Sequence, residues 1–488
     1  MVEKTASHLV DPATLKGFQD LLPEDMILRN RVVDKVRTVY ERFGFVPIDT
    51  PILEHLATLV GTGGEDINKE LFRLESPEGD AIAMRFDLTV PFARIVAQYA
   101  DKIELPFRRY HIGPVFRADK PGPGRYRQFT QFDIDAAGSD SVAVDAEIVA
   151  AMCEVMQSLG LQRSLDPGVQ EYQVRVNNRK LLDAFLGGCG VDDDQVRKHI
   201  LRVIDKLQKA GIENVRKELG EGRVDESGDS IIGVGLTTEP ITRILRLVEI
   251  ESSSRGRVVD EIEKLLPDSQ IAQLAIAEMR LLDEALTSLG VWESEARFDV
   301  SLTRGLDYYT GPVFEAFLPM AVDFGSVMGG GRYDQLVARF LDKKIPATGA
   351  SIGLERLLAG LKSIGKVETH LTTTKVLVVS LAGVPVAALL SVAKELRDKG
   401  LPVEVYFGSE GVSMREQLAY ANAKDIPVAV IIGTDELASG KVSVKNLIEG
   451  RAKRSNIEDH AQYRQAGRVG QSTVSRAEMV PTVLSMLE

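Results

Sequence analysis

Two arginine-bearing stretches, Phe116-Arg117-Ala118-Asp119 and Gly124-Arg125-Tyr126-Arg127-Gln128-Phe129, form the densest polar cluster of the chain. Planar guanidinium groups hold phosphate oxygens in pairs and an aromatic ring offers a stacking face, so this set suits a nucleotide. A second group, Gly349-Ala350-Ser351-Ile352-Gly353-Leu354-Glu355-Arg356-Leu357, joins small residues that permit close packing to an arginine at the start of a helix. A third, Arg304-Gly305-Leu306-Asp307-Tyr308-Tyr309-Thr310-Gly311, sets a cation beside two phenols. Gly329, Gly330 and Gly331 are not followed by the Lys-Ser or Lys-Thr pair of a phosphate loop, and the triplet reads as a tight turn. His55 and His111 belong to none of these groups and read as structural.

The elements that must position these residues are legible from periodicity. Val32, Val36, Val39, Tyr40 and Phe43 follow Leu28 as a helical stripe, which Gly44 can end with a left-handed cap. Phe45 to Ile52, with Pro47 and Pro51, reads as an extended edge or interface segment, because proline cannot donate to a central ladder. Met84 to Phe86, Tyr110 to Phe116 and Arg127 to Ile134 read as strands, the last two forming a hairpin around Gly122, Pro123 and Gly124. Asp87 is also placed to cap a helix beginning near Thr89. Charged helical patterns fill residues 178–292 and interrupt strand-rich material, which resumes at Phe298 to Leu302 and Val313 to Phe317. Thr369 to Thr374 reads as a linker, and Val376 to Ser380, Val403 to Phe407 and Val428 to Gly433 predict a small parallel α/β domain.

Taken in order, Phe45 to Pro51, the arginine hairpin and Gly349 to Leu357 resemble motifs 1, 2 and 3 of class II aminoacyl-tRNA synthetases. Arg304 to Gly311 and Gly329 to Asp334 resemble the two segments peculiar to the histidyl-tRNA synthetase family, and Phe86-Asp87-Leu88-Thr89 resembles its strand that holds the substrate amino group. Gly433 to Leu437 and Val442 to Lys445 resemble its anticodon-binding domain. The resemblance implies an α+β catalytic domain with an antiparallel sheet (1–177 and 293–368), a helical insertion (178–292), and a C-terminal α/β anticodon-binding domain with an extension (375–488). It implies that L-histidine is activated with ATP and Mg²⁺ to the adenylate and passed to tRNA(His), by a cytoplasmic homodimer.

By the same resemblance Arg117 and Arg304 are the catalytic cations at the α-phosphate. Arg117, Asp119, Arg125, Phe129 and Arg356 would bind ATP, with Asp119 standing where many class II enzymes carry glutamate. Asp87, Leu88, Thr89, Arg117, Gln131, Asp135, Arg304, Tyr308 and Tyr309 would bind histidine. A pocket that hydrogen-bonds both imidazole nitrogens rejects apolar isosteres by ~10⁴ or more, because its own polar groups would be left unpaired. A regulatory paralogue of a histidine-biosynthetic phosphoribosyltransferase is the alternative. Such paralogues lack the anticodon domain and tend to lose the arginine-bearing segment, and this sequence carries both.

Composition agrees with a multidomain globular protein: 488 residues, 44% hydrophobic and 27% charged. A net charge of -12 argues against a protein that coats nucleic acid without selectivity. The acidity is uneven, since residues 375–488 hold 14 Lys and Arg against 13 Asp and Glu. Cys153 and Cys189 are too few for a disulfide framework or a four-ligand zinc site. No apolar run approaches the ~20 residues that span a bilayer.

Overall fold

The computed structural model describes residues 10–61, 68–122, 124–166, 169–224, 228–303, 308–409, 411–449 and 470–487. Arg304 and residues 305–307, and most of the C-terminal extension, lie outside these ranges. By internal contacts the chain divides into two compact units, 1–20 with 31–367 and 21–30 with 368–488.

The first unit is built on an eight-stranded sheet. Its strands are β1 (Val46–Pro47), β5 (Phe107–Phe116), β6 (Gln128–Ala137), β7 (Gln173–Asn178), β10 (Ala296–Phe298), β11 (Pro312–Phe317), β12 (Ser326–Arg332) and β13 (Ala347–Gly353). Their spatial order is β1-β5-β6-β13-β12-β11-β7-β10, antiparallel throughout except for the parallel pairs at the two ends. Pro47 sits at the edge, where its missing N–H costs no ladder bond. A smaller antiparallel sheet of β2 (Leu53–His55), β3 (Arg73–Glu75) and β4 (Ala81–Met84) precedes the helix Thr89–Gln98.

Strand alternation sorts β6 into two faces. Phe132, Ile134 and Ala136 are buried in apolar packing, where the ring of Tyr40 meets Phe132 edge-on at 5.0 Å between centroids. The helix Ala143–Ser158 packs along β13, β7, β11 and β12 and buries most of its length. Gln131, Asp133 and Asp135 occupy the opposite face. Gly44 ends the first helix with φ 78°, as its sequence position predicts.

The glycine triplet is not a turn. Gly329, Gly330 and Gly331 lie inside β12, paired with Ser351, Ala350 and Gly349 of β13. A Cβ on Gly330 would fall 1.9 Å from the Gly349 carbonyl oxygen, so close strand approach, not chain reversal, demands glycine here. The strand expected over Phe298 to Leu302 is also shorter. It stops at Phe298, because the Asp299 carboxylate accepts from the Ser301 backbone N–H at 3.0 Å and turns the chain.

Between β7 and β10 the chain runs through helices Arg179–Gly188, Asp194–Ile204, Leu207–Ala210, Ile212–Leu219, Thr238–Val248, Arg255–Glu263 and Gln270–Ser288, with a small hairpin of β8 (Gly222–Val224) and β9 (Ser230–Ile232). Thr238–Val248 buries Ile241, Ile244, Leu245 and Val248, a stripe at helical spacing.

The second unit holds a sheet ordered β15-β14-β16-β17-β18, from β14 (Val376–Val379), β15 (Val403–Val405), β16 (Val428–Ile431), β17 (Lys441–Asn446) and β18 (Gln471–Ser475). Only the first three strands are parallel. These are the three strands read from the sequence, and β17 and β18 add two antiparallel pairings that it did not show. The short helix Thr434–Ser439, closed by left-handed Gly440, turns the chain back too soon for a parallel crossover of a dozen residues or more.

Candidate active site

A cavity of about 330 Å³ opens on the polar face of β6, β12 and β13. Asp87, Thr89, Arg117, Asp119, Arg125, Phe129, Gln131, Asp135, Tyr308, Tyr309 and Arg356 all line it. Leu88 does not. It is fully buried, and its carbonyl accepts a hydrogen bond from Arg109 at 3.0 Å. Residues as far as 269 positions apart in the chain, Asp87 and Arg356, therefore meet at one surface because three antiparallel strands are laid side by side.

At one end the guanidinium of Arg117 lies 4.2 Å from the centroid of Phe86 and 5.2 Å from that of Phe129. Its Nε donates to the Phe86 carbonyl at 3.2 Å, which fixes the plane of the group. Gly124, at the tip of the β5–β6 hairpin, packs against the backbone of Arg356 where the helix Leu354–Ser363 begins. Glu355 accepts from the backbone N–H of Thr130 at 2.8 Å and ties that helix to β6. Arg356 donates to the Ser326 carbonyl at 3.0 Å. Arg117, Arg125 and Arg356 so converge from two directions, an arrangement that stabilises phosphate charge.

The other end is walled by acid and phenol groups. Asp135 is 2% exposed, faces Arg109 across β5 and β6 at 2.6 Å, and accepts a hydrogen bond from the Tyr333 hydroxyl. Gly349 makes room for it: a Cβ there would stand 2.1 Å from Asp135 Oδ1. Gly331 does the same for Tyr309, whose Cδ1 lies 2.9 Å from where a Cβ would be. Tyr308 packs edge-on to Tyr309 at 4.9 Å and to Tyr333 at 5.9 Å between centroids. Gln131 donates to the Ser351 hydroxyl at 2.7 Å. Asp87 does both things its position allowed, lining the cavity and accepting from the Val90 N–H at 2.9 Å at the start of the helix Thr89–Gln98.

Burial raises the carboxyl of Asp87, and it pushes Asp135 up to about 6 and Asp133 up to about 8, in each case against the pull of nearby arginines. His111 moves the other way, to about 3, because burial and the Arg109 and Arg85 charges disfavour the imidazolium. Its Nε2 lies 2.9 Å from Asp49 and it does not line the cavity. No group of three or more His, Cys, Asp or Glu among the described residues is arranged to hold a metal.

Comparison with known proteins bears on what such a cavity serves. Residues 17–357 match the family model described as histidyl-tRNA synthetase, and residues 375–466 match that of an anticodon binding domain. The chain is 41% identical over 487 residues to the histidine--tRNA ligase of Rhizobium meliloti, covering 97% of this chain and 95% of that one.

The chain belongs to the histidyl-tRNA synthetase family.

A crystal structure of histidyl-tRNA synthetase from Nostoc superposes with a TM-score of 0.79 at 31% identity, over 98% of this chain and all of the other. A Bacillus halodurans structure described as an ATP phosphoribosyltransferase regulatory subunit/histidyl-tRNA synthetase gives 0.67 at 23% identity, over 86% of this chain and 98% of its own, and speaks to fold alone. Full-length likeness to histidyl-tRNA synthetases carries histidine–tRNA ligase activity of class II type and sets the regulatory alternative aside. No helix among the described residues is long and apolar enough to cross a membrane.

Among the groups at the acid end that the sequence reading did not assign, two matter most. Asp133 lines the cavity between Gln131 and Asp135, and Arg109 lies behind Asp135, fully buried. The signal for Asp133 was present, since Phe129, Gln131, Asp133 and Asp135 alternate with Thr130, Phe132 and Ile134 at the period of a strand. Arg109 had no such signal. Its partner is fixed only by the register that sets it opposite Asp135.

Proposed function

We propose that this cavity forms histidyl-adenylate, with ATP at the arginine end and L-histidine at the acid and phenol end. The observation that carries the reading is the convergence of Arg117, Arg125 and Arg356 with Asp87, Thr89, Gln131, Asp135, Tyr308 and Tyr309 around one cavity. A histidine carboxylate oxygen attacks the α-phosphorus, the bond to the bridging oxygen of the β-phosphate breaks, and pyrophosphate leaves. The nucleophile is already an anion, so the protein supplies position and positive charge, not a base.

In this reading Arg117 holds the α-phosphate and the attacking carboxylate together, and Arg304 approaches the same phosphate. Arg125 and Arg356 take the outer phosphates, Phe129 stacks the adenine, and Asp119 meets its amino group. Asp87 and Thr89 take the ammonium, with the Leu88 segment setting their spacing. Gln131, Asp135, Tyr308 and Tyr309 surround the rest of the amino acid. Mg²⁺ carried on the nucleotide would meet a hard oxygen donor at Glu355 and would neutralise phosphate charge. The terminal ribose hydroxyl of tRNA(His) then attacks the acyl carbon and AMP leaves.

The strand-rich parts 1–177 and 293–368 act as one catalytic domain, 178–292 as a helical insertion, and 375–488 as the domain that reads the tRNA(His) anticodon. The chain works in the cytoplasm as a homodimer. Exposed Val46, Ile52 and Leu53 along the edge segment support that pairing, and sedimentation tests it.

Histidine-dependent exchange of labelled pyrophosphate into ATP tests the central reading. Arg117→Ala is expected to slow it by ~10²- to 10³-fold, the effect of removing one preorganised charge from the reacting centre. Exchange that ignores histidine, or that survives the substitution at full rate, contradicts it. Anticodon-substituted tRNA(His) should raise the KM for charging while leaving exchange untouched.

A further inference from the structure

We propose that Asp133 is a positioning residue for the substrate, the anionic partner whose charge the α-ammonium of the bound amino acid completes. The inference rests on the reading of the cavity as a histidine site and adds a residue to it.

Asp133 lines the cavity, is 1% exposed, and neither of its carboxylate oxygens forms a hydrogen bond of normal geometry. A buried carboxylate without partners is costly unless something supplies them. Its register partner on β13, Ser351, accepts from Gln131 at 2.7 Å, and its hydroxyl beside Asp133 favours the carboxylate less than the charge of Arg109 does. Its register partner on β5, His111, is turned to Asp49 and is neutral near pH 7, so it brings no charge.

The cations around it make their direct contacts elsewhere. Arg109 pairs with Asp135 and bonds the Leu88 carbonyl, while its Nε and Nη1 have no hydrogen-bond partner and its charge favours the Asp133 carboxylate. Arg85 gives its protons to the carbonyls of Pro114 and Thr50, at 2.8 and 2.7 Å, and to the Thr50 hydroxyl. Arg117 stands at the phosphate end, stacked on Phe86. Tyr40 adds a neutral phenol. Asp133 thus shares the charges of Arg109 and Arg85 but has no direct cationic partner, a place that an ammonium in the cavity would fill.

An ammonium entering beside Asp87 takes that place. Before it arrives, burial holds the Asp133 carboxyl up to about 8, so that the group is largely protonated at neutral pH. Once it is bound, the carboxylate is favoured and the proton leaves to solvent. Binding therefore exchanges a proton for an ammonium, and the site remains near neutral in both states.

Calorimetric titration of the full chain with L-histidine at pH 7.5, in buffers of different ionisation enthalpy, measures the exchange. A substantial fraction of a proton should be released per site, because a carboxyl raised to about 8 is still largely protonated at that pH. L-Histidinol, which keeps the ammonium and the imidazole, should release as much. Imidazolepropionate, which lacks the ammonium, should bind at least tenfold more weakly and release none. In Asp133→Asn, release should vanish and histidine affinity fall at least tenfold.

Release of no proton by the wild-type chain on binding histidine, or equal release with imidazolepropionate, overturns the inference and leaves the histidine site standing. Unchanged affinity and release in Asp133→Asn do the same. Absence of histidine binding altogether removes the site itself. The analogue series uses only the wild-type chain, so the outcome does not depend on the variant folding.

Discussion

Arg109 and Asp135 face each other across β5 and β6 at 2.6 Å, Arg109 fully buried and Asp135 exposed only at the cavity wall. The pair sits directly under the acid and phenol end of the cavity, so the group assigned to the substrate is itself held by a cation that no substrate touches. Removing one member of a buried pair leaves an uncompensated charge, which is costly.

Arg109→Met is accordingly expected to destabilise the chain by about 3 to 5 kcal/mol at pH 8 in urea denaturation. The loss should shrink at pH 5, because Asp135 titrates near 6 and is neutral there. A loss that is equal at both pH values would show that the charge of Asp135 is not what Arg109 supports.

Asp133→Asn should raise the melting temperature of the ligand-free chain, and more so at pH 9 than at pH 5. The sign follows from proton binding. The folded carboxyl holds its proton to about 8 while the unfolded one loses it near 3.9, so wild-type stability falls as pH rises through that window. Asparagine does not titrate and escapes the loss. Scanning calorimetry at the two pH values reads the difference, and a lowered melting temperature at pH 9 would count against the assignment of a protonated carboxyl.

Gly349→Ala puts a methyl group 2.1 Å from Asp135 Oδ1 and 2.4 Å from the Ile134 carbonyl oxygen, so both the carboxylate and the adjoining stretch of β6 must give. The expected result in steady-state kinetics is a fall in kcat/KM for histidine of ~10²-fold, as for small displacements of a binding group, with the KM for ATP little changed. Equal damage to both substrates would point to a general disturbance of β13 instead.

Arg304→Ala should abolish most of the histidine-dependent pyrophosphate exchange, by ~10²-fold or more if Arg304 meets the α-phosphate. Because the residue lies outside the described ranges, kinetics is the direct test. A variant with undiminished exchange would take Arg304 out of the chemistry.

What the sequence determined by itself is the local and the ordered. Arginines on a hairpin, two phenols after Gly305, the helix ended by Gly44 and the prolines of the edge segment depend on neighbours a few residues away, and their order along the chain was enough to mark the family. The period-two run from Phe129 to Asp135 also carried the acid Asp133, though only a reading of strand faces could extract it. Tertiary structure decided the rest, because register is a relation between distant segments. It placed Gly329 to Gly331 inside β12, where the nearness of β13 and not a turn requires glycine. It set β17 antiparallel to β16 because the connection before β17 is too short to return. It also set Arg109 beneath Asp135, an ion pair that exists only because β5 and β6 meet in that alignment.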